Sequence, residues 1–136
     1  MRVVVDTGPL VALVDRHEKH HAWACAQFAS VRPPLLTCEA VIAEATYLLR
    51  SAGVDATAVL DLLERGAVRV SFDLATEVAS VATLMRRYSP RMDLADACLV
   101  RMTEQARNVR VLTLDGDFLF YRRNGRQTIA VTMPKR

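Results

Sequence analysis

Val3-Val4-Val5 is a short β-branched run of the kind that forms a strand buried on both faces. Beyond Gly8-Pro9, the positions Leu10, Val11, Leu13 and Val14 predict a short helix. From His17 to Ser30 the spacing of Trp23, Ala24, Gln27 and Phe28 predicts a second helix, and Pro33-Pro34 breaks the chain. Thr37 reads as an N-cap. After it, Cys38, Val41, Ile42, Ala45, Leu48 and Leu49 form a helical stripe that ends near Gly53. Asp55 caps a further helix with Val59, Leu60, Leu62 and Leu63 inside and Gly66 beyond its end. Ala67 to Phe72 reads as a strand, and Asp73 caps a helix that runs to about Tyr88, where Ser89-Pro90 stops it. A helix from Asp93 to about Arg107 precedes a strand, Arg110 to Leu114. Asp115 to about Arg123 is a loop with a short helix, and Asn124-Gly125 turns the chain into a last strand, Thr128 to Val131.

Strands separated by helices require crossover connections, and these imply a mostly parallel central sheet covered on both faces. The expected architecture is α/β: a three-layer α/β/α sandwich in one domain spanning residues 1–136. Such sheets bind ligands beyond the carboxyl ends of their strands, at a switch in strand order. The residues that end strands are therefore the first candidates for chemistry.

Two of them are acids. Asp6 follows Val3-Val4-Val5, and Asp115 follows Val111-Leu112-Thr113-Leu114. Taken singly, each reads as a turn or cap aspartate; if the strands are neighbours, two carboxylates meet at one rim. Asp96 stands apart from ordinary surface acids, because Leu94-Ala95-Asp96-Ala97-Cys98-Leu99-Val100 is apolar nearly all round. A carboxylate buried there costs several kcal/mol, roughly, unless a cation or hydrogen bond meets it. Asp93, three residues earlier, fits an N-cap and lies on the same side. Glu44 sits on the flank of its helix stripe, where it is either solvated or at the rim of a cleft, while Glu39 in the first turn suits the helix dipole. Carboxylates at strand ends and on half-buried helix faces repel one another unless a cation binds. All-oxygen ligation suits a hard divalent ion, Mg²⁺ or Mn²⁺, which can activate water and stabilise charge on a phosphodiester.

The same residues carry a family resemblance. Val4-Val5-Asp6-Thr7-Gly8-Pro9-Leu10 resembles the opening of PIN-domain ribonucleases, and Val41-Ile42-Ala43-Glu44-Ala45-Thr46-Tyr47-Leu48-Leu49 is similar to their second motif. Met92-Asp93-Leu94-Ala95-Asp96-Ala97 resembles the third and Val111-Leu112-Thr113-Leu114-Asp115-Gly116-Asp117-Phe118 the fourth. The four stand in family order across nearly the whole chain, most like the VapC-like toxins of toxin–antitoxin pairs. The resemblance implies a PIN-like fold and a cytoplasmic, Mg²⁺- or Mn²⁺-dependent endoribonuclease. It also implies an RNA substrate, inhibition by a cognate antitoxin and a homodimer. Carried over by position, Asp6 and Asp96 are the main metal ligands and catalytic acids, and Glu44 and Asp115 complete the quartet. Thr7 and Thr113 would hydrogen-bond these carboxylates, and Asp93 and Asp117 are possible additional acids. One metal or two is left open. The alternative within the fold is an RNA-binding or regulatory module that cuts nothing.

A phosphoacceptor or phosphatase domain with an acid after its first strand fits less well. A receiver-like site wants acids before Asp6 and a lysine after a late strand, but Val3-Val4-Val5 precede Asp6 and no lysine lies between Lys19 and Lys135. A haloacid-type phosphatase wants an aspartate where Gly8 stands.

Composition adds little until the acids are set apart. At 51% hydrophobic and 24% charged, the 136 residues read as globular rather than disordered. The net charge of +3 rises to +7 when the four quartet acids are set aside, a basic body around an acidic pocket. Arg86, Arg87 and Arg91, then Arg122, Arg123 and Arg126, then Lys135-Arg136 are either RNA-phosphate contacts or solvated surface. Cys25, Cys38 and Cys98 lack metal-ligand spacing and read as reduced, buried thiols, and His17, His20 and His21 as an exposed helix start without a third zinc ligand. Asp6 comes too early for a secretory segment, and the uncharged run Ala22 to Val31 is far shorter than the ~20 apolar residues of a membrane span, so neither export nor membrane insertion is expected.

Overall fold

The computed structural model describes residues 1–135, and its frame is five parallel strands in the order β3-β2-β1-β4-β7. They are β1 (Arg2–Val5), β2 (Leu35–Thr37), β3 (Val68–Val70), β4 (Val109–Leu112) and β7 (Ala130–Thr132). The helices are α1 (Thr7–Val14), α2 (His21–Ser30), α3 (Glu39–Ser51), α4 (Thr57–Glu64), α5 (Leu74–Arg87) and α6 (Leu94–Glu104). β5 (Arg122–Arg123) and β6 (Gln127–Thr128) form a small antiparallel hairpin outside the main sheet. Its turn is Asn124-Gly125 with φ of 51° and 82°, the left-handed pair that a two-residue hairpin needs.

The chain moves outward from β1 to β2 and β3, then crosses back to β4 on the other side of β1. With right-handed crossovers, that reversal puts α1 to α4 on one face and α5 and α6 on the other. The packing agrees: α1 touches α2, α3 and α4, whereas α5 packs on α6, and α6 lies against β1 and β4. β1 is the switch point. It pairs with β4 from Arg2↔Val109 to Val5↔Leu112, so both strands end at the same level. Val4, Val5, Val111 and Leu112 are all buried, which accounts for their β-branched and aliphatic character. α6 is buried from Ala95 through Val100, so the acid it carries at Asp96 is enclosed as its sequence implied.

Several local expectations are corrected. Thr37 is not an N-cap: it ends a three-residue strand, donates its hydroxyl to Val5 O at 2.9 Å, and leaves the cap position to Cys38. α1 begins at Thr7 rather than after Pro9, because Asp6 caps it and proline is tolerated in a first turn. α2 begins at His21, since His17 to His20 form turns closed on Asp15 and Glu18. Cys25 is exposed, not buried, because α2 lies on the outside and buries only Ala24. Leu60 is exposed on α4, which turns Val59 and Leu62 inward instead. The last strand splits at Ile129 into β6 and β7. Gly8 has a packing role: a Cβ there would lie 3.0 Å from Leu114 Cδ1, so its absence lets α1 sit close to the chain leaving β4.

Candidate metal centre

Asp6 caps α1 directly beyond β1, and its Oδ1 accepts from Thr7 N at 2.8 Å. The register places Thr113 opposite it, and the Thr113 hydroxyl donates to Asp6 Oδ2 at 2.7 Å. The same Thr113 oxygen accepts from Asp115 N at 2.9 Å, so one buried side chain ties the two strand ends together. Asp115 then caps a 3₁₀ turn, Gly116–Leu119, by accepting from Asp117 N at 2.9 Å. Thr7 is buried and donates its hydroxyl to Glu44 Oε1 at 2.5 Å, drawing that exposed α3 acid to the rim. Asp93 caps α6 through Asp96 N at 2.8 Å, as its position predicted.

Asp6, Thr7, Glu44, Asp93, Asp96 and Asp115 line one cleft of about 410 Å³ at the carboxyl ends of β1 and β4. One carboxylate oxygen from each of Asp96, Asp115 and Asp117 lies within 4.8 Å of the other two. Every acid expected at the site is thus at this rim. Asp117, left open by the sequence, stands with Asp96 and Asp115, while its carboxylate also meets Arg91 Nε at 3.8 Å.

Sequence reasoning missed Tyr121. It is fully buried, and its hydroxyl donates to Asp96 Oδ2 at 2.8 Å. Its ring packs edge-on against Tyr88 and Phe118, at centroid distances of 5.2 and 5.4 Å. The only available signal was an aromatic soon after the Asp115-Gly116-Asp117 turn, and nothing in spacing links it to an acid 25 residues earlier.

The electrostatics follow from burial. Desolvation pushes Asp6 up to about 6 despite the bonds from Thr113 and Thr7, and the charges of Asp115 and Glu44 push the same way. Asp96 is pushed up to about 7, first by burial and then by Asp93, Asp6 and Asp115, against the lowering hydrogen bond from Tyr121. Burial and the Asp96 carboxylate hold the Tyr121 hydroxyl well above its ordinary range, so it stays a donor. Among the described residues no arginine or lysine forms an ion pair with Asp6, Asp96 or Asp115. Crowded carboxylates that offer only oxygen, with Asp117 alone among them meeting an arginine, fit a hard divalent cation. Tyr121→Phe is expected to raise the Asp96 titration midpoint and to cost roughly 1 kcal/mol of stability. Carboxyl ¹³C shifts of the metal-free protein over a pH series check this; an unmoved midpoint would mean the bond does not act on Asp96.

The arginines divide. Arg123 donates to Thr103 O and Ala106 O at the end of α6, Arg122 to the carbonyls of Leu119, Phe120 and Tyr121, and Arg87 to Gly125 O. These hold the fold together. Arg86, Arg126 and Lys135 are exposed, and Arg136 lies outside the described residues. His21 Nδ1 stands 2.7 Å from Ala12 O, tying α2 to α1, and the three histidines form no metal cluster among the described residues. No helix is long and apolar enough to cross a membrane among those residues.

Comparison with known proteins gives the family and the fold. A family model described as PIN domain matches residues 3–124. The chain is 34% identical over 116 residues to Ribonuclease VapC26 of Mycobacterium tuberculosis (strain ATCC 25618 / H37Rv), covering 83% of this chain and 86% of that one. Among solved structures it is similar to the crystal structure of Mycobacterium tuberculosis VapC20, described as a Sarcin-Ricin loop cleaving toxin. The TM-score is 0.74 at 24% identity, over 85% of this chain and 91% of that chain, a likeness of fold.

Proposed function

The chain belongs to the PIN domain family, and from that premise we propose that it is a metal-dependent endoribonuclease, the toxin of a toxin–antitoxin pair acting in the cytoplasm. The observation that carries this reading is the meeting of Asp96, Asp115 and Asp117 within 4.8 Å, with Asp96 and Asp115 lining one cleft together with Asp6 and Glu44. In this reading Asp6, Asp96 and Asp115 hold Mg²⁺ or Mn²⁺, with Glu44 completing the set directly or through water, and Asp117 joining from the 3₁₀ turn. When bound, the ion lowers the pKa of water and offsets charge on the phosphodiester.

The protein's own part is preorganisation. Thr113 and Thr7 N fix both oxygens of Asp6, and Tyr121 fixes one oxygen of Asp96, leaving the other for the cleft. Thr7 spends its hydroxyl on Glu44, so the cleft lining presents carboxylates rather than a free nucleophilic hydroxyl. That suits direct attack of water on phosphorus with no covalent enzyme intermediate. The bond from phosphorus to the 3′ oxygen breaks, the 3′ oxygen leaves as a hydroxyl, and the phosphate stays on the 5′ end of the downstream fragment. A cognate antitoxin and a homodimeric assembly belong to the same reading.

The test is cleavage of cellular RNA by the purified chain. Cleavage is expected with Mg²⁺ or Mn²⁺, to stop with chelator, and to leave 5′-phosphate ends that a 5′-phosphate-dependent exonuclease degrades. Asp6→Asn should lose at least about 100-fold in rate, in line with removal of one preorganised charge-stabilising group. Undiminished cleavage by that variant would overturn the assignment. RNA that binds but stays intact would instead favour the non-cutting module.

A further inference from the structure

Beside the acidic cleft stands a half-exposed aromatic side chain that packs on Tyr88 and Tyr121. Phe120 follows the 3₁₀ turn that carries Asp117 and is 52% exposed. A large apolar ring left half in water is unremarkable alone, but this one is held in place. Tyr88 meets it edge-on at 5.7 Å between centroids, and Arg122 donates to the carbonyls on both sides of it and to its own. The Arg91 guanidinium lies over its face, 4.3 Å from the centroid. Arg91 also reaches Asp117 at 3.8 Å, and Asp117 is within 4.8 Å of Asp96 and Asp115 through carboxylate oxygens. A short run of contacts thus leads from the acids to a cation resting on an aromatic face.

We propose that Arg91 and Phe120 form a binding platform for one unpaired nucleobase of single-stranded RNA, next to the phosphodiester placed at the acids. Aromatic rings and guanidinium planes are the two surfaces on which unstacked bases settle, and each base so held contributes strongly to affinity. The pair has both, and its positive charge faces a polyanion while its ion pair with Asp117 keeps it at the mouth of the cleft. A base in a duplex has both faces covered by its neighbours, so this site selects unpaired RNA. The inference rests on the nuclease reading only for where the phosphodiester lies; recognition of the base by the platform is separate from cleavage.

The experiment measures anisotropy of a fluorescein-labelled single-stranded oligoribonucleotide with the full chain, in chelator and at fixed ionic strength. Phe120→Ala should weaken binding about fivefold or more, the scale of one base stack. Arg91→Lys, which keeps the charge but not the plane, should weaken it comparably. Phe120→Trp should restore it, and Leu119→Ala, 61% exposed on the same turn, should change it less than about twofold. Thermal melting of each variant should match the parent, because the altered side chains lie at the surface. With abasic units in the oligomer, the difference between Phe120→Ala and the parent should vanish. Binding by Phe120→Ala within twofold of the parent, no binding by the parent, or a change confined to sedimentation mass would overturn the platform, the last because it marks a protein interface. If the parent leaves RNA uncut with Mg²⁺ and Mn²⁺ while Phe120→Ala still loses affinity, the nuclease reading falls and the platform stands. If RNA is cut and Phe120→Ala binds normally, the reverse holds.

Discussion

Asp96→Asn is expected to abolish RNA cleavage, by at least about 100-fold, and at the same time to make the metal-free protein more stable at neutral pH. The two effects have one cause. Asp96 is buried on α6, and its carboxyl is pushed up to about 7 because enclosure and the charges of Asp93, Asp6 and Asp115 disfavour its ionised form. Above neutrality the folded chain carries that charge against its surroundings, whereas the unfolded chain carries it in water. An asparagine of the same shape keeps an oxygen to accept from Tyr121 and loses the repulsion. Its new amide N–H₂ needs partners in the cleft, which offsets part of the gain. A net rise of about 1–2 kcal/mol is expected, or on the order of 5 °C in melting temperature. Calorimetry in chelator at pH 7.5 and a cleavage assay with Mg²⁺ check the two halves. A variant that is both inactive and less stable would mean that Asp96 supports the fold rather than straining it.

The second large effect is a reversal in how stability depends on pH when a divalent ion is added. Asp6 and Asp96 have folded-state values near 6 and 7 against an ordinary 3.8. Between those limits the folded chain holds more protons than the unfolded one, so metal-free stability falls as pH rises from about 4 to 7 and levels off above. The span is a few kcal/mol, which corresponds to a melting temperature on the order of 10 °C higher at pH 5 than at pH 7.5. A metal binds the deprotonated acids, so millimolar Mg²⁺ or Mn²⁺ acts most at pH 7.5, contributing about 2.7 kcal/mol at a hundredfold excess over Kd. The slope should therefore flatten or invert with ion present. Melting curves over a pH series, with and without Mn²⁺, make the comparison. Parallel curves would show that the acids do not share a cation.

Asp6 and Asp115 were legible because each follows an aliphatic run in the sequence, although β4 itself stops at Leu112, and Asp96 because an acid stood where helical spacing called for a hydrophobic residue. Periodicity could not show β2: three residues, Leu35–Thr37, are too few to display a period, and a threonine before a helix looks like a cap whether or not it ends a strand. Glu44 is exposed, and only the motif drew it to the site; the hydrogen bond from Thr7, 37 residues away, is what places it there. Asp117 depends on the curl of a 3₁₀ turn, which spacing does not encode. Tyr121 and the Arg91–Phe120 pair are products of tertiary packing between the turn after β4 and the α5–α6 connection. The basic residues misled for the opposite reason: several serve backbone carbonyls, a use that composition cannot distinguish from waiting for a phosphate.

The bond from Thr113 to Asp6 spans 107 positions, and Tyr121 reaches its acid from still later in the chain. During synthesis the first acid therefore emerges long before the groups that aim it, and β1 has no β4 to align with until most of the protein has left the ribosome. A chain halted before Thr113 has Asp6 and Asp96 but lacks Asp115, Asp117 and both hydroxyls that orient the earlier pair. If the protein cuts RNA, a nascent copy still lacks part of its acid set while it stands beside the messenger that encodes it.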